Sequence, residues 1–454
     1  MNFKVVYLVD NKRRDLPGAA LLARQLSLKG ISCELQPLEA YRAVIYAFKP
    51  HLVIFNHLLA SHLVAFSHRL RSLGIGVAVL PNEGIYYNRE TLMFNAGRAH
   101  NNAHVDLFFC WNSVHRAALE SVGFESEKLF TTGSPRFDFY FEPWKGLYRK
   151  PSLPQKTRPR ILFCTNLSLA KFYELPKAEA DRFFSSWAKN VSSYKDYWGA
   201  VGVVYRNRQR VLTYLENLLG SGAYDITLRV HPSEDIDFYK SWLQNLSMSK
   251  SQHLQLDQSS HITDLMLSCD IEVSLDSCTT AVDAWLAGKP TIELALEPHE
   301  LLSHPILDGL NVRCESPSDI ITAVAEALSA SQPIHISYAR KKHIDLWFGD
   351  PKGNSAAMIA ETIANFLKGR SLFRSGVYTF SDFRRGIKLM ALNKLGKPYN
   401  WHPQLLIRRF LNSNGSYIKR ETLQKTITPT MVKEMNKVIK SLGGSHQSLH
   451  DLSL

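Results

Sequence analysis

Short apolar runs alternate with helical patterns through the first 140 residues of this chain. The runs at residues 5–9, 52–55, 76–80 and 106–111 have the length of buried strands, and helical patterns such as 19–28 lie between them. Parallel strands need a crossover connection, which is usually a helix. The alternation therefore predicts a parallel sheet with helices on both faces.

This pattern breaks between residues 143 and 160, where Pro151, Pro154 and Pro159 stand among basic residues and indicate an interdomain linker. A second series of apolar runs follows at 160–164, 226–230, 271–275 and 291–294. The chain has 454 residues, more than one ordinary core holds. We predict an α/β protein with two Rossmann-like doubly wound domains that face each other across a cleft. The predicted parts are residues 1–145, 160–340, closing helices at 341–370 and a basic C-terminal extension at 371–454.

Two polar groups in the second series stand where apolar runs end. His231 and Pro232 follow the run at 226–230, and Ser277, Thr279 and Thr280 follow the run at 271–275 and open a helical pattern. Unpaired backbone N–H groups and the helix dipole make such a junction suitable for phosphate. We therefore predict a nucleotide phosphate site here. A capped strand end and a helix N-cap are the structural alternatives for the same residues.

Three further residues are candidates for the same site. Arg229 lies two residues before His231, so both side chains point the same way in an extended strand. Asn166 follows the run at 160–164 and is a candidate phosphate ligand. Glu293, near the end of the run at 291–294, is a candidate ligand for ribose hydroxyls, with a solvated strand end as the alternative.

The first series carries its own polar groups at the ends of apolar runs. Asn82, Glu83 and Gly84 follow the run at 76–80, where a carboxylate is placed to deprotonate an acceptor hydroxyl and glycine permits close approach. An ordinary turn is the alternative. The predicted acceptor side of the cleft includes four more residues. Asp10, Arg14 and Asp15 follow the first run, and Arg136 lies in the turn 133–138. Arg136 binds an anion or pairs with Asp138.

Motifs of other enzyme classes are missing from the sequence. There is no G-x-x-x-x-G-K, no G-x-G-x-x-G and no H-E-x-x-H, which argues against P-loop enzymes, ordinary dinucleotide enzymes and zinc proteases. Asp235 and Asp237 form a D-x-D match, but they fall in the first turn of a helical pattern, where acids are favoured by the dipole. We predict no metal site. No apolar run reaches the length of a membrane span.

Together these residues resemble GT-B glycosyltransferases that use CMP-activated sugars, such as bacterial sialyltransferases and Kdo transferases. The series 9–11, 14–16, 82–84 and 133–138 more closely resembles the bacterial surface carbohydrate biosynthesis protein family, over about residues 1–370. The resemblance implies an acceptor domain at 1–145 and a donor domain at 160–340. It implies metal-independent transfer of an ulosonic acid such as Kdo or a sialic-type sugar, with the CMP-sugar as co-substrate and no cofactor. The acceptor would be a surface polysaccharide, such as capsule or lipopolysaccharide, or a lipid-linked glycan.

The same resemblance assigns roles to individual residues. Glu83 matches the general base, and His231 matches the histidine that contacts the CMP phosphate. The hydroxyl motif that holds the leaving phosphate matches Ser277, Thr279 and Thr280. The family's acid doublet is altered at its first position, which is Asn82 here.

Three other functions share this layout. Non-hydrolysing UDP-GlcNAc 2-epimerases have the same architecture, but their Ser-Gly-Gly turn and paired glutamates have no match at 277–283. CDP-glycerol phosphotransferases share the His-Pro and a later Ser-Ser pair. A non-catalytic GT-B binding protein is the third alternative, since Asn82 replaces an acid.

The positive charge is concentrated at the C-terminus. Of the net charge of +13, residues 371–454 carry +10, from 14 basic and 4 acidic residues. Apolar and basic residues alternate at helical spacing in 383–390 and 405–411, which is typical of an amphipathic segment on anionic lipid. We expect a cytoplasmic protein that contacts the cytoplasmic face of the inner membrane through 371–454 and binds no nucleic acid. A helical appendage packed on the body is the alternative.

Overall fold

The computed structural model describes residues 3–86, 88–148, 158–275, 279–302, 309–329, 334–349, 351–369, 376–401 and 425–441. The chain forms two compact units. The first consists of Met1–Tyr86, Asn95–Tyr148 and Ile344–Leu454. The second consists of Tyr87–Phe94 and Arg149–His343.

The first unit is built on a six-stranded parallel sheet with the order β2-β1-β3-β4-β5-β6. Apart from the edge strand Ser32–Pro37, its strands are rich in Val, Ile, Leu and Phe, as expected for strands buried on both faces. They are β1 (Lys4–Val9), β2 (Ser32–Pro37), β3 (Leu52–Phe55), β4 (Gly76–Val79), β5 (Leu107–Cys110) and β6 (Leu129–Thr131). The helices that follow them in the chain are α1 (Leu16–Leu28), α2 (Val44–Phe48), α3 (Ser61–Ser72), α4 (Arg89–Ala99), α5 (Ser113–Ser121) and α6 (Pro135–Asp138). The first half of α4 belongs to the second unit.

The second unit has its own six-stranded parallel sheet, with the order β12-β11-β10-β7-β8-β9. The strands are β7 (Arg160–Cys164), β8 (Asp225–Arg229), β9 (Leu254–Asp257), β10 (Ile271–Leu275), β11 (Thr291–Leu294) and β12 (Val312–Cys314). The helices from here to residue 348 are α7 (Lys177–Asn190), α8 (Tyr197–Ser221), α9 (Ile236–Gln244), α10 (Met248–Ser251), α11 (Ile262–Ser268), α12 (Thr280–Leu286), α13 (Ile320–Ser329) and α14 (Ile334–Phe348).

Each sheet has one point where the strand order reverses. In the first unit this switch point lies between β1 and β3, and in the second it lies between β7 and β10. Ligands of open α/β sheets bind outside the carboxyl ends of the strands at such a point. The predicted fold class, two Rossmann-like doubly wound domains, is confirmed.

Three helices near the C-terminus pack on the first unit. They are α15 (Ser355–Gly369), α16 (Phe380–Lys394) and α17 (Pro429–Lys440). Helices α15 and α17 contact α1, and α16 contacts α2. The predicted amphipathic segment 405–411 lies outside the described residues. No described helix is long and apolar enough to cross a membrane.

Candidate functional site

Next to the switch point of the second unit, the residues after β7 and those after the adjacent β8 are joined by hydrogen bonds. The backbone N–H of His231 donates to Oγ1 of Thr165 over 3.2 Å, and the backbone N–H of Thr165 donates to the carbonyl of Arg229 over 3.0 Å. Asn166 follows Thr165 and is exposed. His231 and Asn166 therefore follow neighbouring strand ends, at the edge where a ligand is expected.

The imidazole of His231 is a neutral hydrogen-bond donor. Burial lowers the pKa of His231 to about 4, with smaller contributions from Arg229 and Lys171. Nδ1 of His231 accepts a hydrogen bond from the backbone N–H of Ser233 over 3.1 Å. A neutral imidazole whose Nδ1 accepts must carry its proton on Nε2. The Nε2–H group can therefore donate to a phosphate oxygen at neutral pH.

The turn that carries His231 is fixed by a buried carboxylate. Glu234 accepts from the hydroxyl of Tyr239 over 2.5 Å and from the backbone N–H of Leu167 over 2.9 Å. This second bond ties the turn after β8 to the loop after β7. Pro232 lies within the turn rather than at the first position of a helix, because α9 begins at Ile236.

Two predicted ligands of the second unit are engaged inside the domain. Nη1 of Arg229 contacts Asp257 over 2.6 Å, and both side chains are buried. Oε2 of Glu293 accepts from Asn311 over 3.1 Å, and Glu293 is buried. The alternative of a solvated strand end is wrong for Glu293, because its side chain is buried. Its role as a ribose ligand stays a prediction. Arg229 likewise is held by the neighbouring strand β9.

The predicted hydroxyl cluster is only partly described. Ser277 lies outside the described residues, and Thr279 is exposed just before α12. The hydroxyl of Thr280 donates to Oε1 of Glu272 over 2.8 Å. Strands β8 and β10 lie on either side of β7. The carboxyl ends of these two strands, after which His231 and Thr280 follow, are therefore two strand spacings apart, about 10 Å.

Glu272 is a fully buried carboxyl group beneath the start of α12. Burial raises the pKa of Glu272 to about 8, although the Thr280 hydroxyl opposes this shift. Its second oxygen, Oε2, has no hydrogen-bond partner among the described residues. Glu272 therefore links the strand to the first residue of the helix that follows the hydroxyl cluster.

In the first unit, Arg14 connects the loops that follow β1 and β4. Its guanidinium donates to Asp15 over 2.7 Å and to Glu83 over 3.0 Å, and it lies 3.7 Å from Asp10. Burial raises the pKa of Asp15. One guanidinium thus gathers three carboxylates of the predicted acceptor side.

Asn82 and the pocket beside it belong to the same edge. Nδ2 of Asn56, which follows β3, donates to Oδ1 of Asn82 over 2.5 Å. A small pocket next to this pair is lined by residues that include Tyr7, Arg14, Asp15, Asn82, Trp111 and Arg136. The structure therefore brings most predicted acceptor residues to one side of the sheet.

Gly84 and Asp138 have other neighbours than those suggested by the sequence, which were a ligand close to Gly84 and Arg136 beside Asp138. A Cβ at Gly84 would lie 2.2 Å from Cγ of Trp111, so the close neighbour is an indole of the protein itself. Asp138 accepts from the backbone N–H groups of Ser355 and Ala356 at 3.1 and 2.9 Å. These bonds place Asp138 at the start of α15, as an N-terminal cap.

Sequence reasoning did not single out His57 and Lys425. His57 follows β3 at the switch point, burial lowers its pKa, and its Nδ1 has no hydrogen-bond partner among the described residues. Nζ of Lys425 lies 3.8 Å from Asp10. The strand order reveals His57, since β1 and β3 are neighbours only in the folded sheet. No sequence signal distinguishes Lys425 from the other basic residues of the C-terminal extension.

No metal-binding arrangement appears among the residues that the structure describes, since no group of three His, Cys, Asp or Glu side chains could hold an ion. Asp235 instead caps α9, because its carboxylate accepts from the backbone N–H of Asp237 over 3.1 Å.

Comparison with solved structures identifies the fold. The putative UDP-N-acetylglucosamine 2-epimerase from Listeria monocytogenes has a TM-score of 0.50 at 12% identity, covering 83% of this chain and all of that one. The UDP-GlcNAc 2-epimerase of Methanocaldococcus jannaschii, solved with UDP-GlcNAc and UDP, has a TM-score of 0.48 at 14% identity, with 80% and 100% covered. The wall teichoic acid polymerase TagF, solved with CDPG, has a TM-score of 0.49 at 12% identity, with 80% and 88% covered.

The likeness to the first of these structures, whose TM-score is 0.50 at 12% identity, concerns the fold alone. The chain has the two-domain GT-B-like α/β fold, as predicted. No protein-family model and no curated relative matches the sequence. None of the three solved structures is described as a CMP-sialic acid or Kdo transferase.

Proposed function

We propose that the chain is a metal-independent glycosyltransferase that acts on a nucleotide-activated sugar. The donor is a CMP-linked ulosonic acid such as Kdo or a sialic-type sugar. The acceptor is a surface polysaccharide or a lipid-linked glycan. The observation that carries the proposal is the position of His231, whose Nδ1 accepts from Ser233 and whose backbone N–H donates to Thr165, one strand from the switch point of the second unit. With its lowered pKa, this imidazole is a neutral Nε2–H donor.

The donor binds with its phosphate at this edge. Nε2–H of His231 donates to a phosphate oxygen, and the exposed Asn166 and Thr279 lie after β7 and β10 at the same edge. Hydrogen bonds to a phosphate strengthen as the C–O bond to the sugar breaks, because negative charge then grows on the leaving oxygen. A CMP leaving group already carries its charge on phosphate, so these donors can stabilise it without a divalent ion.

The acceptor hydroxyl is activated in the first unit. Glu83 accepts its proton while the oxygen attacks the anomeric carbon, and CMP departs with the electron pair of the broken bond. Arg14 holds the Glu83 carboxylate and, through Asp15 and Asp10, fixes its position at the sheet edge. Asn82 takes part in this arrangement through Asn56 and needs no charge there.

Epimerisation of UDP-GlcNAc is the second candidate function. It is favoured by the fold likeness to the Listeria protein, which extends over 83% of this chain. An epimerase converts the nucleotide sugar in the absence of any acceptor, whereas a transferase releases nucleotide faster when its acceptor is present. CDP-glycerol phosphotransfer and nucleotide binding without turnover remain further outcomes of the same assay.

The test uses the purified full chain with CMP-Kdo, CMP-sialic acid, CDP-glycerol or UDP-GlcNAc. Released nucleotide is measured by chromatography and the sugar product by NMR. We expect CMP release that falls at least tenfold in His231→Ala. His253→Ala is the matched control, because His253 is also partly buried but precedes β9 at the opposite edge of the sheet. Conversion of UDP-GlcNAc alone supports the epimerase, and turnover of CDP-glycerol alone supports the phosphotransferase. Binding of nucleotide without turnover of any donor overturns the enzymatic proposal.

A further inference from the structure

Helix α16 exposes large apolar side chains on the face turned away from the first unit. Its buried residues are Asp382, Gly386, Leu389 and Leu392. The opposite face forms a continuous stripe at helical spacing, called here the α16 stripe: Phe380, Phe383, Arg384, Ile387, Lys388, Met390, Lys394 and Leu395. Phe380 is 80% exposed and Leu395 is 67% exposed. The helix therefore has two apolar faces. One is buried against the first unit, and the other is exposed on the surface.

The helix is fixed in this orientation by its inner face. A Cβ at Gly386 would lie 2.7 Å from Cδ1 of Tyr46 on α2, so the two helices are in close backbone contact. Asp382 pairs with Nη2 of Arg69 on α3 over 3.1 Å and forms a capping box with Thr379. The stripe cannot turn inward without breaking these contacts.

Exposed apolar surface is concentrated in this segment. Among the described residues, fifteen large apolar side chains are between 36% and 85% exposed, and six of them lie within residues 377–395. Contiguous apolar patches on a protein surface mark interaction sites, whereas scattered exposed residues need no explanation. The α16 stripe therefore has the character of a contact surface.

The charge of the segment decides what kind of partner fits. Residues 376–401 contain five basic side chains and one acidic side chain, Asp382. Asp382 is buried and paired with Arg69, so the exposed charge is entirely positive. Arg384, Lys388 and Lys394 alternate with the apolar residues of the stripe. The partner must offer negative charge and hydrocarbon in the same plane.

We propose that the α16 stripe docks the protein on an anionic lipid bilayer. Phe380, Ile387 and Leu395 enter the boundary between headgroups and acyl chains, while the basic residues contact lipid phosphates. Phe383 lies at the border of the stripe, where its ring also contacts Tyr46 of α2. A second copy fits less well, because a symmetric pair would place the same positive charges against each other. This inference deepens the proposed function by placing the enzyme where lipid-linked acceptors lie, and its test uses no donor or acceptor.

Electrostatic attraction and apolar burial contribute separately to this docking. Each basic residue near an anionic membrane strengthens binding about fivefold, so neutralising three of them weakens it by roughly 100-fold. Raising the salt concentration from about 0.1 M to about 1 M shortens the screening length from about 10 Å to about 3 Å and has a similar effect. Replacing three apolar residues of the stripe removes the part of the binding that salt does not affect.

The experiment is flotation of the full chain with vesicles of phosphatidylglycerol and phosphatidylcholine in equal parts, and with phosphatidylcholine alone. Two triple variants are compared with wild type: Arg384→Gln/Lys388→Gln/Lys394→Gln and Phe380→Ser/Ile387→Ser/Leu395→Ser. The control Leu28→Ser/Met248→Ser/Tyr338→Ser removes equally exposed apolar side chains elsewhere on the surface. Thermal unfolding of each variant establishes that it is folded.

We expect wild type and control to float with the anionic vesicles, the basic variant to lose roughly 100-fold in affinity, and the apolar variant to lose binding at high salt as well. Equal flotation of all four proteins overturns the proposal, as does binding to phosphatidylcholine alone. A dimer that both stripe variants abolish, without any flotation of wild type, assigns the stripe to a second copy instead. Loss of nucleotide turnover with unchanged flotation bears only on the proposed function.

Discussion

The guanidinium of Arg14 donates a hydrogen bond to Glu83 over 3.0 Å and thereby joins the loops that follow β1 and β4. The same group donates to the buried Asp15 over 2.7 Å. The two carboxylates differ in exposure, since the side chain of Glu83 is 57% exposed and that of Asp15 is 6% exposed. Arg14 therefore positions the exposed carboxylate of Glu83, which a ligand can reach, and neutralises the buried carboxylate of Asp15.

Glu83→Gln tests the proposed base. The glutamine keeps the size of the side chain but cannot accept a proton, so we expect CMP release to fall by at least about 100-fold. The free energy of unfolding should change by less than about 0.5 kcal/mol, because an exposed ion pair contributes little. Glu120→Gln removes a similar surface carboxylate that pairs with Arg116 over 3.0 Å, and it should retain full turnover. Equal turnover of Glu83→Gln and wild type would exclude Glu83 as the base.

Arg14→Gln should lower the stability of the fold, in contrast to Glu83→Gln. It leaves the buried Asp15 carboxylate without its cationic partner, although the backbone N–H of Asn11 still donates to it over 3.0 Å, and an uncompensated buried charge is costly. We expect the free energy of unfolding to fall by about 2 kcal/mol, measured by urea denaturation. Arg116→Gln, which breaks an exposed pair, is the control and should cost less than about 1 kcal/mol. If the two variants are equally stable, the Arg14–Asp15 pair does not stabilise the fold.

The strand pattern allowed the fold class to be predicted, but short strands were missed. β1 and β3 are continuous apolar runs, so both were correctly predicted as buried strands. β6 and β12 have only three residues each, which is too short for an alternating or continuous apolar pattern to stand out. They are strands because neighbouring strands supply their hydrogen bonds.

The partners of the candidate site residues could not be predicted for a related reason. Arg229 pairs with Asp257 and Glu293 with Asn311 across neighbouring strands, at separations in sequence that no local pattern encodes. His57 is at the switch point only because β1 and β3 are adjacent in the sheet. Sequence identifies which residues end a strand, while the strand order decides which of them meet.

Glu272 should make stability depend on pH. Its pKa is about 8 in the folded protein, because the group is buried, and about 4.3 in an unfolded chain. The folded state therefore holds a proton that the unfolded state has lost. The stabilisation is complete below about pH 4.3 and is lost as pH rises through 8, at about 1.4 kcal/mol per pH unit.

Glu272→Gln removes this dependence while keeping an acceptor for the Thr280 hydroxyl. Between about pH 6.5 and pH 8, wild type should lose about 2 kcal/mol that the variant does not lose, as measured by urea denaturation at several pH values. Glu120→Gln should follow wild type throughout, because the hydrogen bond from Arg116 lowers the pKa of Glu120 and keeps it ionised over this pH range. Parallel pH profiles for Glu272→Gln and wild type would contradict a protonated Glu272.

His231 should act as a neutral donor over the physiological pH range. With a pKa of about 4, its charge does not change between about pH 5.5 and pH 8. We expect the CMP affinity contributed by His231 to be constant over that range, measured by calorimetry. His231→Ala should weaken CMP binding by about tenfold to a hundredfold, because a hydrogen bond to a charged group is lost. His231→Gln offers an amide donor and should recover part of it. The phosphate of CMP itself titrates near about pH 6, so the pH profile is compared with that of His231→Ala. A titration near about pH 6.5 that wild type shows and His231→Ala lacks would indicate that the imidazole binds as a cation.

Gly84→Ala tests whether the turn at the proposed base is set by Trp111. The new Cβ would lie 2.2 Å from Cγ of Trp111, far inside van der Waals contact. The indole cannot withdraw freely, because its Nε1 donates to the carbonyl of Pro81 over 2.9 Å. The carbonyl of Gly84 is itself held by Nδ2 of Asn112 over 2.8 Å. The added methyl group must therefore displace the backbone next to Glu83.

We expect Gly84→Ala to lower the free energy of unfolding by about 1–3 kcal/mol and to reduce turnover through the displaced carboxylate. Gly97→Ala is the matched control, since a Cβ there meets nothing within 4 Å. Gly97 lies within α4, where alanine is favoured over glycine by up to about 1 kcal/mol, so this variant should be slightly more stable. If Gly84→Ala keeps both the stability and the turnover of wild type, the turn relaxes without moving Glu83, and glycine is not required at this position.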